Sequence, residues 1–205
     1  MAEIFAFPAD APMSQYAGPD VVARPNGIPD AVWSAVESVR AMSLVDGVHY
    51  REIAVPSKQA DFGIGVELTC GNADGWMMVL YATNPPVHWK SHWRCAAYAH
   101  MLLPTAENDG LTPTMYWDDM CSRLDGIDPD SVSGTVTMTR DTVFSSTSQH
   151  VPTTSIGVAS GCEMRVSWTP IASMDDVLDA GGQIRLWARF IHAVVSEQEE
   201  PSVDR

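Results

Sequence analysis

The side chains with the most capacity for binding chemistry form a set of arginine, aromatic and histidine residues. The set is Arg94, Tyr98, His100, Arg165, Trp89 and Trp93. A guanidinium group binds carboxylates and phosphates through paired N–H donors, and an aromatic ring stacks on cations and on other rings. If these residues share one surface, we expect that surface to bind an acidic peptide, a carboxylate or a phosphate.

Strand alternation is the reason for grouping four of these residues. In an extended segment, residues two apart point to the same side, so Arg94, Tyr98 and His100 fall on one face of a predicted strand. Arg165 falls on the outer face of a second predicted strand. The alternative is a cross-strand ion pair, such as Arg165 with Glu67, on a solvated face that binds nothing.

The sequence contains no arrangement typical of a catalytic or metal centre. It lacks a G-x-S-x-G motif, and Gly63-Ile64-Gly65 lies within a predicted strand rather than at a phosphate-binding turn. His88 and His92 are four residues apart, but Pro85-Pro86 argues against the helix that would bring them together. We therefore predict no catalytic residues, no metal ligands and no cofactor. We expect a non-enzymatic protein and leave enzymatic activity open.

The charge of the chain narrows the choice of partner. The sequence has 12 basic and 26 acidic residues among 205, a formal net charge of −14. Nucleic acids and anionic membrane surfaces both attract basic proteins, so we predict neither as a partner. The charge is compatible with a protein partner, a basic one included. A homodimer built on the sheet face or on the last helix is a third alternative.

Cysteine usage and the N-terminus predict the compartment. The cysteines are Cys70, Cys95, Cys121 and Cys162; they form no C-x-x-C pair, and three lie in apolar surroundings. Reduced core thiols of this kind are typical of cytoplasmic proteins. The N-terminal MAEIFAFPADAP lacks the basic and long apolar segments of a signal peptide, and no segment has the length to span a bilayer. We predict a soluble, cytoplasmic protein.

A long hairpin forms the predicted centre of the fold. The apolar segments Trp76 to Tyr81 and Trp93 to Met101 have strand length, and Asn84-Pro85-Pro86 separates them. The other predicted strands are His49 to Val55, Phe62 to Cys70, Gly134 to Phe144 and Cys162 to Ile171. The element order is helix, four strands, helix, two strands, helix. This order predicts an α+β fold with a mainly antiparallel sheet of five to six strands, helices on one face and a partly open second face.

The chain divides into one domain and two tails. Residues 1–27 predict a flexible N-terminal arm, residues 28–196 a single α+β domain, and residues 197–205 a disordered C-terminal tail. Within the domain, Ser145 to Gly161 is rich in Ser, Thr and Gly and predicts a mobile loop. Ser173 with Asp176 predicts a capping box at the start of the last helix.

Four segments resemble those of one known family. They are REIAVP (Arg51 to Pro56), WRCAAYA (Trp93 to Ala99), SGTVT (Ser133 to Thr137) and EMRVSWTP (Glu163 to Pro170). In this order and spacing they resemble the actinobacterial domain-of-unknown-function family numbered 3000. The resemblance supports the predicted fold and implies no activity. The element order alone is also similar to that of secretion-chaperone-like proteins, which are acidic and often dimeric binding proteins.

Two functions are consistent with these observations. The first is a non-enzymatic protein-binding or adaptor/chaperone-like domain that holds a protein partner on the open sheet face or in a helix groove. The alternative is a small-ligand-binding protein or enzyme with a pocket lined by Trp89, Trp93, Tyr98, His100 and Arg94. An open, flat face would favour the first function, and a closed apolar pocket with convergent polar groups would favour the second.

Overall fold

A computed structural model describes residues 24–55, 58, 60–103, 110–145 and 154–199. Most of the predicted N-terminal arm, up to residue 23, lies outside these ranges. The helices are α1 (Asp30–Ala41), α2 (Thr112–Arg123) and α3 (Ala180–Glu199). The strands are β1 (His49–Glu52), β2 (Phe62–Cys70), β3 (Ala73–Tyr81), β4 (Trp93–Leu103), β5 (Ile127–Ser145) and β6 (Thr154–Pro170). The α+β prediction and its element order are confirmed.

The six strands form one antiparallel sheet in the order β1-β2-β3-β4-β6-β5. The predicted hairpin lies at its centre, where β3 and β4 pair from Asp74–His100 to Tyr81–Trp93. A short 3-10 helix, Val87–Trp89, lies in the connection between them. The sequence order is broken once, because β6 pairs with β4 and leaves β5 at the edge. Residues distant in sequence therefore meet between β4 and β6.

One face of the sheet packs against the helices, as the alternation predicts. On β2, Ile64, Val66 and Leu68 are buried on this face. Helix α3 contacts β2, β3 and β4, and it also packs against α1 and α2. The apolar side chains of the helices and of this sheet face are therefore buried together in one core between them. Burial of this apolar surface is the main source of stability for such a layered fold. The opposite face, called the open face below, carries no α-helix in the described part of the chain.

A second, smaller cluster of buried apolar residues covers one end of the open face. The cluster consists of Val55, Ala60, Leu80, Ala82 and Trp89, with Met78 against it. The chain beyond Glu52 passes over β2 here, so a Cβ atom on Gly65 would lie 2.6 Å from the carbonyl oxygen of Ile53. Strand β1 ends at Glu52, short of the predicted Val55.

Strands β5 and β6 are both longer than predicted. They pair from Ile127–Pro170 to Ser145–Thr154, with irregular register between Asp128 and Ser133 and between Val143 and Phe144. The mobile-loop prediction is therefore wrong for residues 154–161, which belong to β6, while residues 146–153 lie outside the described ranges. Backbone pairing satisfies N–H and C=O groups whatever the side chains, so a segment rich in Ser, Thr and Gly can still form a strand.

The last helix begins and ends differently from the prediction. Asp179 accepts a 2.7 Å hydrogen bond from the backbone N–H of Gly182, which is the bond expected of a residue that precedes the first helical position. The capping-box prediction is wrong, because Ser173 accepts its bond from the N–H of Val177 in a turn before the helix. At the other end α3 continues to Glu199, into the predicted tail, and Glu197 accepts a 3.0 Å bond from Arg123. Residues 200–205 lie outside the described ranges.

Two further observations concern the state of the cysteines and the length of the helices. Cys70, Cys95 and Cys162 are buried, Cys121 is half-buried, and all carry free thiols. Among the helices that the structure describes, none is both long and apolar enough to cross a bilayer.

Candidate functional site

A continuous row of polar and aromatic side chains crosses the open face. The strand register places Arg51 opposite Glu67, Glu67 opposite Trp76, Trp76 opposite Tyr98, Tyr98 opposite Arg165, and Arg165 opposite Thr135. We call these residues the central row. Tyr98 and Arg165 are two of the predicted site residues, and the order β4-β6 brings them side by side.

The middle of the central row is a stack of two rings and a guanidinium group. The rings of Trp76 and Tyr98 lie 5.9 Å apart, centroid to centroid, with 19° between their planes. The Cζ atom of Arg165 lies 5.3 Å from the centroid of the Tyr98 ring, which is within the range of cation–π attraction. Trp76 and Tyr98 are half-buried and Arg165 is exposed. The row therefore presents flat, partly exposed aromatic surface to solvent.

The charges of the central row are balanced by close carboxylates. Arg51 Nε donates to Glu67 at 2.6 Å, and Arg165 Nη2 lies 2.9 Å from Glu163 on the same strand. The predicted pair of Arg165 with Glu67 does not form, because two strands separate them. Burial raises the pKa of Tyr98, and the nearby carboxylates of Glu163 and Asp74 raise it further, while Arg165 lowers it. Tyr98 is therefore a neutral phenol at physiological pH.

His100 follows Tyr98 by two residues on the same face of β4, so it lies beside the central row, nearer the C-terminal end of the strand. Its Nδ1 atom is 3.2 Å from Oδ1 of Asp74 on β3. The next residue across the sheet is Glu163, which pairs with His100 in the strand register. His100 therefore shares the open face with Tyr98, as predicted, but it faces carboxylates instead of the aromatic stack.

Arg94 lies at the opposite end of β4 and is nearly fully buried, with 8% of its surface exposed. Its guanidinium group donates hydrogen bonds to three hydroxyl oxygens, those of Thr169 (3.0 Å), Ser167 (2.7 Å) and Ser133 (3.3 Å). We call these three residues the hydroxyl cradle. Desolvation by burial lowers the pKa of Arg94. Within the described part of the chain, Arg94 forms no ion pair with a carboxylate.

The hydroxyl cradle is held in place by the irregular part of β5. The register of β5 against β6 shifts between Asp128 and Ser133, and such bulges redirect side chains at sheet edges. Here Ser131 Oγ accepts a 2.7 Å bond from the backbone N–H of Thr169. The Thr169 hydroxyl in turn donates to the carbonyl oxygen of Trp89 at 2.8 Å. The hairpin connection, β6 and β5 therefore all meet at Arg94.

The two predicted tryptophans lie on opposite sides of the sheet. Trp89 is buried in the apolar cluster of the open face, while Trp93 is buried among the helices and donates from Nε1 to the carbonyl oxygen of Asp176 at 2.9 Å. A single pocket lined by Trp89, Trp93, Tyr98, His100 and Arg94 does not form. Strand alternation is the reason, since Trp93 and Arg94 are consecutive and must point to opposite faces.

Trp76, Ser133 and Thr169 are among the residues of the site that the sequence prediction did not include. Ser133 and Thr169 join Arg94 only through the order β4-β6-β5, which no local pattern contains. Trp76 lies in the apolar segment of β3, where both faces are hydrophobic and alternation gives no direction. Only the structure, in which Met77 and Val79 are buried among the helices, shows that Trp76 and Met78 face the opposite side.

The described residues contain no group of three or more His, Cys, Asp or Glu side chains that could hold a metal ion. A surface cavity at the junction of α2 and β5 is lined by Trp117, Cys121, Leu124 and Ile127. None of the six predicted site residues lines this cavity. The chemistry of the described chain is therefore concentrated in the central row and the hydroxyl cradle.

These features define an α+β protein with one helix-covered sheet face and one open face that carries aromatic and arginine side chains. The chain belongs to the family of proteins of unknown function DUF3000, whose family model matches residues 28–197. The resemblance carried by the four sequence segments is thus confirmed. No curated protein and no solved structure matches the chain.

Proposed function

We propose that the protein is a non-enzymatic, cytoplasmic binding or adaptor protein that holds a protein partner against the central row. The observation that carries this proposal is the partly exposed Trp76–Tyr98–Arg165 stack on a sheet face that no described α-helix covers. Tryptophan, tyrosine and arginine are the residue types most enriched at energetic centres of protein interfaces. The free thiols of Cys70, Cys95 and Cys162 support a reducing compartment.

The chemistry of the row limits the kind of partner. Arg51 and Arg165 already pair with Glu67 and Glu163, so the row offers little net charge to a partner. The rings remain as the main source of binding energy, because burying aromatic surface is favourable and the two rings are already ordered by stacking. The proposed partner therefore places an apolar or aromatic side chain on the Trp76–Tyr98 pair. Binding of this kind depends only weakly on salt concentration.

A matched pair of variants tests this proposal. Trp33 on α1 is also half-buried and also lies under an arginine, with Arg40 Cζ 5.1 Å from its ring centroid, but it lies on the helix side. The tagged wild-type chain, Trp76→Ala and Trp33→Ala are used to capture partners from the protein's own cells, and the captured proteins are quantified by mass spectrometry. Circular dichroism and urea unfolding verify that both variants fold.

The proposal expects a stoichiometric partner that Trp76→Ala loses and Trp33→Ala retains. A partner that Trp76→Ala still captures would place binding elsewhere on the molecule. The absence of any stoichiometric partner of the wild-type chain would contradict the adaptor function itself. Light scattering of the purified chain separates self-association from binding of another protein, since a dimer that Trp76→Ala dissociates would assign the row to a second copy of the chain.

A further inference from the structure

Arg94 differs from Arg51 and Arg165, two other arginines of the sheet, because it pairs with no carboxylate among the described residues. Arg51 and Arg165 have side chains that are 72% and 58% exposed, and each pairs with a glutamate. Arg94, with 8% exposure, has only hydroxyl partners among the described residues. Water stabilises an exposed charge without a counter-ion, whereas a buried charge has lost this solvation and is stabilised most by a counter-ion. The most buried of the three guanidinium groups is therefore the one without an anion.

The hydrogen-bond donors at Arg94 are only partly used. A guanidinium group has five N–H donors, and the three bonds to the hydroxyl cradle leave two of them. The Thr169 hydroxyl donates to Trp89, but the Ser133 and Ser167 oxygens are 3.3 Å apart and both accept from Arg94. At most one of their two hydroxyl protons can lie between them, so the other can reach an incoming acceptor. The unused N–H groups, on Nε and Nη1, point in different directions because both hydrogens of Nη2 are used, so one N–H group and one O–H group remain for a single anion.

The exposure of these side chains and the charges around them are consistent with an anionic ligand. Ser133 is exposed, Ser167 is half-buried and Arg94 is buried, and hydrogen bonds join Arg94 to both serines, so a ligand that reaches the serine hydroxyls from solvent lies close to Arg94. One further cation and one carboxylate lie on neighbouring segments, because Lys90 follows Trp89 in the chain and Asp128 pairs with Thr169 in the strand register. The ammonium group of Lys90 lies 3.9 Å from Asp128, which is the long limit of an ion pair. Lys90 and Asp128 offset each other's charge, so the charge of Arg94 and the hydroxyl donors remain to favour an oxyanion with several acceptor oxygens.

From this geometry we infer that Arg94, Ser133 and Ser167 form a binding site for a phosphate group, either free phosphate or the phosphate of a small monoester. One of the unused N–H groups of the Arg94 guanidinium donates to a phosphate oxygen, and a serine hydroxyl donates to another. This site is separate from the central row, where the proposed function places the protein partner. Loss of one therefore leaves the other intact.

The test measures thermal unfolding of the full chain in sodium phosphate and in sodium chloride of equal ionic strength. We expect phosphate to raise the unfolding midpoint in a saturable way beyond the effect of chloride. Phosphate also stabilises proteins without a site by exclusion from their surface, so variants of the cradle are needed. Ser133→Ala with Ser167→Ala should weaken the apparent affinity about tenfold or more, which corresponds to about 1.4 kcal/mol. Arg165→Ala, an arginine on the same face outside the cradle, should leave the affinity unchanged.

Three outcomes would overturn the inference. They are no saturable shift in the wild-type chain, an equal shift in the double serine variant, and a shift in sodium acetate equal to that in phosphate. Arg94→Gln is a further variant with the expected loss of response, but the serine variants decide the test because they keep the buried arginine. Phosphoserine as a second probe identifies the source of the phosphate group. Binding of phosphoserine supports a monoester, and binding of inorganic phosphate alone supports the free ion.

Discussion

The indole N–H of Trp168 on β6 donates a 2.7 Å hydrogen bond to Oε1 of Gln183 on α3, and both side chains are buried. The same oxygen lies 3.9 Å from the Sγ atom of Cys95 on β4. Gln183 is thus a polar residue in the middle of an apolar core, fixed by the donors around it. The bond links the last helix to β6, the strand whose Thr169 accepts a hydrogen bond from Arg94.

Removal of this acceptor should destabilise the fold. Gln183→Ala leaves the buried indole N–H of Trp168 without a partner, and an unsatisfied buried donor costs about 1–3 kcal/mol. Urea unfolding followed by tryptophan fluorescence measures the loss. A double-mutant cycle with Trp168→Phe isolates the bond, since the effect of Gln183→Ala should shrink once the donor is gone. Additive effects of the two substitutions would contradict the importance of this bond.

Gly134 should tolerate no side chain. An added Cβ atom would lie 2.2 Å from the backbone oxygen of Arg165, because β5 approaches β6 closely just after its irregular segment. We expect Gly134→Ala to lower the free energy of unfolding by on the order of 2 kcal/mol, as the two strands must separate locally. Gly110→Ala is the control, since nothing lies within 4 Å of the added atom there. Equal stability of the two variants would contradict the close approach.

The start of α3 can be tested by two alanine substitutions. Asp179→Ala removes the bond to the N–H of Gly182, and loss of such a cap costs about 1 kcal/mol. Ser173→Ala removes a bond within the preceding turn only and should cost less. Thermal or urea unfolding of both variants measures the difference. A larger loss in Ser173→Ala would restore the capping box that the sequence predicted.

The cysteines should differ in reactivity in the folded protein. Burial raises the pKa of Cys95, and it raises that of Cys162 to about 11, so neither forms the reactive thiolate at pH 8. Cys121 is half-buried, with a pKa raised by burial and by Asp118. We expect a colorimetric thiol reagent to modify Cys121 alone, and slowly, until denaturant exposes all four thiols. Cys121→Ser should abolish the reaction of the native protein, and rapid modification of this variant would contradict the model of the core.

The sequence predicted features that depend on local pattern and missed those that depend on strand order. Alternation in β2 gave its bounds and its buried face, because Ile64, Val66 and Leu68 alternate with polar or small residues. Alternation also placed Arg94, Tyr98 and His100 on one face correctly. It could not show that Arg94 lies among hydroxyls, since Ser133 and Thr169 arrive from strands whose neighbours are set by long-range pairing. Nor could it separate β5 and β6 from a loop where their side chains are small and polar.

The insertion of β6 between β4 and β5 has a consequence for the chain as it leaves the ribosome. Strands β1 to β4 follow one another in sequence and in the sheet, so they can assemble as a meander as soon as they emerge. Strand β5 emerges next, but it pairs with β6 and not with β4. It can therefore join the sheet only after β6 has been synthesised. We therefore expect the nascent chain to pass through a state in which the outer edge of β4 stays open. A chaperone that covers such an edge would act on this protein at that stage of its synthesis.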